Sequence, residues 1–330
     1  MSEISLLICD DSGMARKQLL RALPAGWPVR VTQAEDGREA LVVLRRGGID
    51  LMLLDLTMPE VDGYQVLASM REEGLATPVI VVSGDVQEEA VRRVLALGAL
   101  AFLRKPVDAA ELHATLAGHG LLAHRADAPS PVAAAPQVSF RDTFQEVVNV
   151  AMGQAGALLA KVLDVYVQLP VPNVNILEAG ELQMALTDAQ GDARLTAVSQ
   201  GYIAGGISGE ALLIFHDAEL ADVARLMRWS EDQSSTMEML LDLACVVIGA
   251  CLSGVSSQLN VPFSQGHPQI LGQRTSIGHL VPLSQPRWQK TLAVELSYRI
   301  EDHDIHFDLL LLFTEESIPL IQQRLAYLMD

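Results

Sequence analysis

Residues 1–13 read MSEISLLICDDSG, and this stretch decides the fold of the first third of the chain. Ile4–Cys9 is apolar throughout except for one serine, and it stops at two acids, Asp10 and Asp11. A short, nearly continuous apolar run suits a strand covered on both faces. With no basic leader before it, the run reads as a buried strand and not as a signal peptide. Similar runs follow at Val29–Gln33, Leu51–Asp55, Val79–Val82 and Ala101–Arg104. Helical patterns lie between them, near Met14–Ala22, Arg38–Arg45, Tyr64–Glu72, Gln87–Leu97 and Ala109–Ala117. This alternation predicts an α/β domain over residues 1–120, with a doubly wound, parallel, five-stranded sheet.

In such folds chemistry collects at the carboxyl ends of the strands. The first strand ends in Asp10-Asp11, the third in Asp55, the fourth in Ser83 and the fifth in Lys105-Pro106. Three carboxylates brought together repel one another unless a hard divalent cation neutralises them. A lysine and a hydroxyl facing that cation complete a site for a phosphoryl group.

With Phe102 added, these residues resemble the receiver domain of two-component response regulators, of the flavodoxin-like CheY type. The resemblance covers the whole first domain. It implies that Asp55 is the phosphoacceptor, and that Asp11, Asp55 and the Thr57 carbonyl bind Mg2+, with Asp10 assisting through water. It also implies that Lys105 contacts the phosphoryl group, that Ser83 swings towards it, and that Phe102 follows as a rotameric switch.

Residues 121–138, LLAHRADAPSPVAAAPQV, break the pattern. Pro129, Pro131 and Pro136 deny a continuous helix and favour an extended tether. His113, His119 and His124 have no ligand spacing and read as surface residues.

The second domain, residues 139–330, opens on a helical stretch in which Asp142, Glu146 and Asn149 are spaced four and then three apart. That spacing puts them on one stripe, with Val147, Val148, Ala151, Leu158 and Leu159 around it. Advancing Asp142, Glu146, Asn149, Gly153, Leu163 and Pro172 by 96 positions gives Glu238, Asp242, Cys245, Gly249, Leu259 and Pro268. Each copy is followed by two strands and a helix. The expectation is an α+β domain of two related halves, with a pseudo-twofold internal repeat and a mixed or antiparallel sheet. Gly205-Gly206-Ile207-Ser208-Gly209 reads as a tight connection between strands. His303 and His306 are expected in one strand, on opposite faces.

The motif resembles that of the CheC/CheX/FliY family of CheY-phosphate phosphatases, Asp/Ser-x3-Glu-x2-Asn-x22-Pro. Asp142, Glu146, Asn149 and Pro172 match it, with 22 residues between Asn149 and Pro172. The resemblance implies that Glu146 pairs with the active-site lysine of a phosphorylated receiver, while Asn149 orients a water in line with the aspartyl phosphate. A neutral amide both donates and accepts, so it holds water near an anion without adding repulsion. In the second copy Asp242 replaces Glu and Cys245 replaces Asn. A helix cysteine is usually a small buried hydrophobe, so this degenerate site is expected to be inactive and kept for packing.

The formal charge of −18 and the absence of a Lys/Arg run argue against nucleic acid as a partner. No helix-turn-helix with basic accompaniment follows the tether. Three cysteines without a Cys-x-x-Cys spacing suit a reducing compartment, the cytoplasm. No apolar run is read as approaching the roughly 20 residues that span a bilayer, so no membrane insertion is expected.

The two resemblances imply a chemotaxis response regulator whose output domain hydrolyses aspartyl phosphate, on a CheY-like partner or on its own Asp55. They imply a CheA-like sensor histidine kinase as phosphodonor, and leave a homodimer open. The competing readings are a non-catalytic adaptor and a phosphate sink in chemotaxis or flagellar signalling.

Overall fold

A computed structural model of the chain describes residues 3–122, 135–178, 180–181, 184, 195–229, 233–275 and 290–329. It divides into two compact units, Met1–Glu146 with Met329, and Val147–Leu328 with Asp330. Residues 123–134, which hold most of the expected tether, lie outside the described residues.

In the first unit, strands β1 (Ile4–Cys9), β2 (Val29–Ala34), β3 (Leu51–Leu54), β4 (Val79–Ser83) and β5 (Ala101–Arg104) form one sheet. Its order is β2-β1-β3-β4-β5 and every pairing is parallel. Helices α1 (Gly13–Ala22), α2 (Gly37–Arg46), α3 (Gly63–Glu73), α4 (Glu88–Ala96) and α5 (Ala109–Gly118) alternate with the strands. This is the expected flavodoxin-like domain, with element ends within one residue of the sequence reading. A β3 strand of four residues, all buried, can only sit in the middle of a sheet covered on both faces. Two clusters provide that cover, one around Leu7, Met52, Val66 and Val81, the other around Leu6, Leu53, Ile80 and Leu112. The helices start where the sequence supplies caps: Ser12, Asp36 and Asp108 accept from backbone amides of α1, α2 and α5, and Asp62 with Gln65 forms a capping box on α3.

Helix α6 (Phe140–Leu163) begins in the first unit and continues into the second. The rest of the second unit comprises β6 (Val167–Gln168), β7 (Asn173–Glu178), β8 (Leu195–Ala204), β9 (Ile207–His216), α7 (Leu220–Leu226), α8 (Gln233–Leu259), β10 (Ser264–Gln265), β11 (Gln269–Thr275), β12 (Lys290–Ile300), β13 (Ile305–Phe313) and α9 (Ser317–Met329). The strands make one eight-stranded sheet of order β10-β8-β9-β13-β12-β6, with β11 also on β8 and β7 also on β12. Every pairing is antiparallel. Exchanging β6–β9 with β10–β13 leaves this order unchanged. Two pairs of positive-φ residues fall at equivalent places: Asp164 and Asn260 just after the long helices, and Gly206 and Asp302 in the hairpin turns.

Inside the sheet, Tyr202 donates to the Leu312 carbonyl at 3.0 Å and stacks edge-on against Phe313. Gly209 is required there, because a Cβ would meet the Tyr202 hydroxyl at 2.4 Å and the Leu312 carbonyl at 2.1 Å. Phe307 packs between Phe215 and Tyr298, both at 5.4 Å between ring centroids.

Three expectations need correction. His303 lies in the β12–β13 turn, not in a strand, and only His306 is in β13, where its Nδ1 meets Glu219 at 2.9 Å. Cys245 is exposed on α8 and so is Asp242, so neither is kept for packing. Finally, Phe140–Leu163 and Thr236–Leu259 are long and apolar enough to cross a membrane by length and composition, although most of each is buried in the fold. Glycine, serine and single acids interrupt their apolar residues, so neither helix contains a long unbroken apolar run.

Candidate active site

The first unit gathers its acids as the strand ends predict. Asp10 follows β1 and Asp55 follows β3, the two strands being neighbours with Cys9 level with Leu54. The Asp55 amide donates to the Cys9 carbonyl at 2.9 Å, and the Asp10 amide to the Ala34 carbonyl at 3.2 Å, which fixes both side chains at the same edge. Ligand oxygens of Asp10, Asp11 and Asp55 all lie within 4.8 Å of one another. Asp10 and Asp55 are buried and Asp11 is partly exposed.

Lys105 enters this acidic group from the end of β5, after which comes a cis peptide bond to Pro106. Its amide donates to the Ser83 carbonyl at 2.9 Å, tying the ends of β4 and β5 together. Its Nζ stands 2.8 Å from Asp10 Oδ2, 3.4 Å from Asp55 Oδ2 and 3.3 Å from Glu146 Oε1. Glu146, on the first-unit part of α6, is itself buried. Asp10, Asp55 and Glu146 thus converge on the Lys105 ammonium, with Asp11 beside them.

Electrostatics follow from that crowding. Burial raises the Asp11 pKa to about 7, and repulsion from Asp10 adds to it. Asp10 and Asp55 are also pushed up, first by burial and then by neighbouring acids, Glu146 among them, against the opposing pull of Lys105. Burial works against the charge on Lys105, but Asp10, Asp55 and Glu146 outweigh it and hold the ammonium well above the usual lysine value. Neither oxygen of Asp55 accepts a well-formed hydrogen bond. Buried carboxylate oxygens so sparsely satisfied are what a hard cation completes, so the donor set fits a divalent metal such as Mg2+.

The other residues expected from the sequence are distributed over the two units. Thr57 lies two residues beyond Asp55, in the β3–α3 connection. Ser83 is buried at the end of β4, and its Oγ accepts from the Asp85 amide at 3.1 Å. Phe102, partly buried in β5, packs against the Leu7–Met52–Val81 cluster. In the second unit, Asn149 follows Glu146 on α6 by one turn and is also largely buried. Asp142 acts locally, as a cap on α6. Its Oδ2 accepts from the Ser139 amide at 3.1 Å while its own amide donates to Ser139 Oγ at 3.2 Å. Asp242 and Cys245 sit on α8, apart from the acidic group in sequence and in unit.

Two positioning residues escaped the sequence reading. Arg16, buried in α1, donates from Nη1 to the Asp10 carbonyl at 2.7 Å, from Nε to Gln33 at 3.1 Å and from Nη2 to Glu35 at 2.6 Å. It thereby locks the ends of β1 and β2. Gly63 opens α3 so close to the acidic loop that a Cβ would meet the Asp55 carbonyl at 2.3 Å. Its only sequence signal is a glycine immediately after the capping Asp62.

Residues 6–117 match the family described as response regulator receiver domain. The first unit is therefore a CheY-like receiver domain. The chain is 32% identical over 163 residues to the transcriptional regulatory protein ZraR of Escherichia coli K12, which is 47% of this chain and 37% of that protein. It is 38% identical over 111 residues to protein-glutamate methylesterase/protein-glutamine glutaminase 2 of Anaeromyxobacter dehalogenans, covering 33% of this chain and 32% of that one. The chain thus spans well under half the length of these curated relatives. Among solved structures, Thermotoga maritima FliY aligns with 57% of this chain and 96% of its own, at 17% identity and a TM-score of 0.43.

Proposed function

We propose that the chain is a chemotaxis-type response regulator whose second domain, residues 139–330, is a CheC-type aspartyl-phosphate phosphatase. The observation that bears most on this reading is the position of Glu146, 3.3 Å from Lys105 Nζ inside the receiver's acidic pocket. A glutamate engaging a receiver lysine, with an amide one helical turn further on, is the arrangement that the phosphatase motif calls for. The unchanged strand order on exchange of halves supports an internal repeat, in which Asp242 and Cys245 form a degenerate second site without the amide.

In this reading Asp55 accepts the phosphoryl group from a CheA-like sensor histidine kinase, and Lys105 and Ser83 hold its oxygens. Asp10, Asp11 and Asp55, with the Thr57 carbonyl, hold Mg2+, which when bound neutralises the carboxylates and the phosphoryl oxygens. Phe102 reports the occupied state through its packing. Glu146 fixes the lysine, and Asn149 orients the attacking water, the main requirement left because an acyl phosphate is already activated. The substrate is a phosphorylated CheY-like receiver or the chain's own Asp55 phosphate. Free thiols and the net acidity suit the cytoplasm, with no nucleic acid as partner.

The test is release of inorganic phosphate, from the phosphorylated full chain and from a phosphorylated stand-alone receiver, by wild type and by Asn149→Ala. Asn149→Ala is expected to slow release by about a hundredfold, as for loss of one transition-state contact. Equal release by the two proteins on both substrates rejects the phosphatase, and leaves the adaptor or the phosphate sink.

A further inference from the structure

The geometry points to a specific substrate for this helix: the phosphoryl group on Asp55 of the same chain, removed in cis. This rests on the phosphatase reading above and narrows it.

Glu146 is not a surface acid that happens to lie near a lysine. Its side chain is 6% exposed and that of Lys105 is 3% exposed, so the pair has excluded bulk water. Its carboxylate joins Asp10, Asp11 and Asp55 around the Lys105 ammonium. Three buried carboxylates about one ammonium, with a fourth beside them, are unfavourable unless the fit is specific, and the 3.3 Å approach of Glu146 to Lys105 is such a fit. The cation that Glu146 meets is the one that a phosphoryl group on Asp55 would also use.

Connectivity argues the same way. Lys105 and Glu146 are separated by 41 positions in one chain (146 − 105). A partner carried on the same chain acts at an effective concentration on the order of millimolar. A free receiver at ordinary protein concentrations must displace that tethered partner before it can present its own lysine to Glu146.

The reaction is a hydrolysis. As the water oxygen bonds to phosphorus, the bond from phosphorus to the Asp55 carboxylate oxygen breaks, and its electron pair stays on that carboxylate. Both water protons leave with the inorganic phosphate, released as dihydrogen phosphate. Glu146 acts as a positioning residue through Lys105, and Asn149 places the water.

The experiment uses full-length chains charged on Asp55 with radiolabelled acetyl phosphate and Mg2+, then freed of donor. For wild type, the first-order decay constant is expected to stay the same over a tenfold range of protein concentration. For labelled Asn149→Ala, decay is expected to be slower by at least about tenfold. An excess of unlabelled wild-type chain should leave that slow decay unchanged. If unlabelled wild type restores fast release from labelled Asn149→Ala, or if the wild-type constant climbs with concentration, removal occurs in trans and the cis assignment is overturned while the phosphatase stands. If wild type and Asn149→Ala decay equally, both fall. Glu146→Gln keeps the shape and loses the charge towards Lys105. It is expected to slow cis decay while Asp55 still accepts phosphate from the donor, and unchanged decay overturns the role given to Glu146.

Discussion

A methyl group at Gly63 would lie 2.3 Å from the Asp55 carbonyl and 2.8 Å from Leu56 Cα, both of them backbone atoms. Backbone of that kind cannot swing aside as a side-chain tip does. Gly63→Ala is therefore expected to cost about 1–3 kcal/mol of stability by overpacking, measured by denaturant unfolding. It should also slow charging of Asp55 by acetyl phosphate, since the loop bearing the carboxylate has to move. Unaltered stability would show that α3 can slide. Asp10, Asp11, Asp55 and Lys105 stand in contrast. Those four were legible because chemistry at the end of a buried strand shows in the sequence as a polar residue after an apolar run. Gly63 and Arg16 act through space, one by a missing side chain and the other by reaching the Asp10 carbonyl, and no local pattern marks either role.

At the scale of elements, α6 and α8 meet where Gly254 faces Ala151. A Cβ on Gly254 would stand 2.6 Å from Ala151 Cα, so the crossing depends on the absence of a side chain. Gly254→Leu should lower stability by about 1–3 kcal/mol through overpacking, partly offset by about 1 kcal/mol of better helix propensity. A thermal melt that rose would show the crossing to be loose. The stripe Asp142–Glu146–Asn149 was legible as a helix face, and the motif resemblance implied a lysine partner for Glu146, which is buried at Lys105; the local role of Asp142 as a cap on the helix was not legible. Leu158, read as an apolar face residue, is 42% exposed. Periodicity identifies a face but not what lies against it. For the same reason Cys245 was read as buried. Its spacing matches Asn149, and nothing in the sequence says that this face of α8 is left open.

For the molecule as a whole, the crowded carboxylates set a pH dependence. Asp10, Asp11 and Asp55 have pKa values raised above those of an unfolded chain, so the folded state holds their protons more tightly. The stability they contribute is complete below about pH 4, the unfolded carboxylate range, and is lost as pH rises through the folded values, about 7 for Asp11 and Asp55 and about 8 for Asp10. Without divalent metal, the melting temperature should therefore fall between about pH 5 and pH 8. Adding Mg2+ should restore it, and by more at about pH 8 than at about pH 6, because protons and metal compete for the same oxygens. A Mg2+-induced shift that is the same at both pH values, or that persists in Asp55→Asn, would show that the metal acts elsewhere.

In the eight-stranded sheet, strands β6 and β7 pair with β12, while β10 and β11 pair with β8. Each half thus lends its short strands to the long hairpin of the other, like two hands clasped with fingers exchanged. Neither half completes its own hydrogen-bonding edge, so each is expected to depend on the other for stability. The sheet must assemble from contacts distant in sequence, which slows folding. It also means that the strands following α8 cannot simply be discarded, because β10 and β11 cover an edge of β8 that would otherwise be left open.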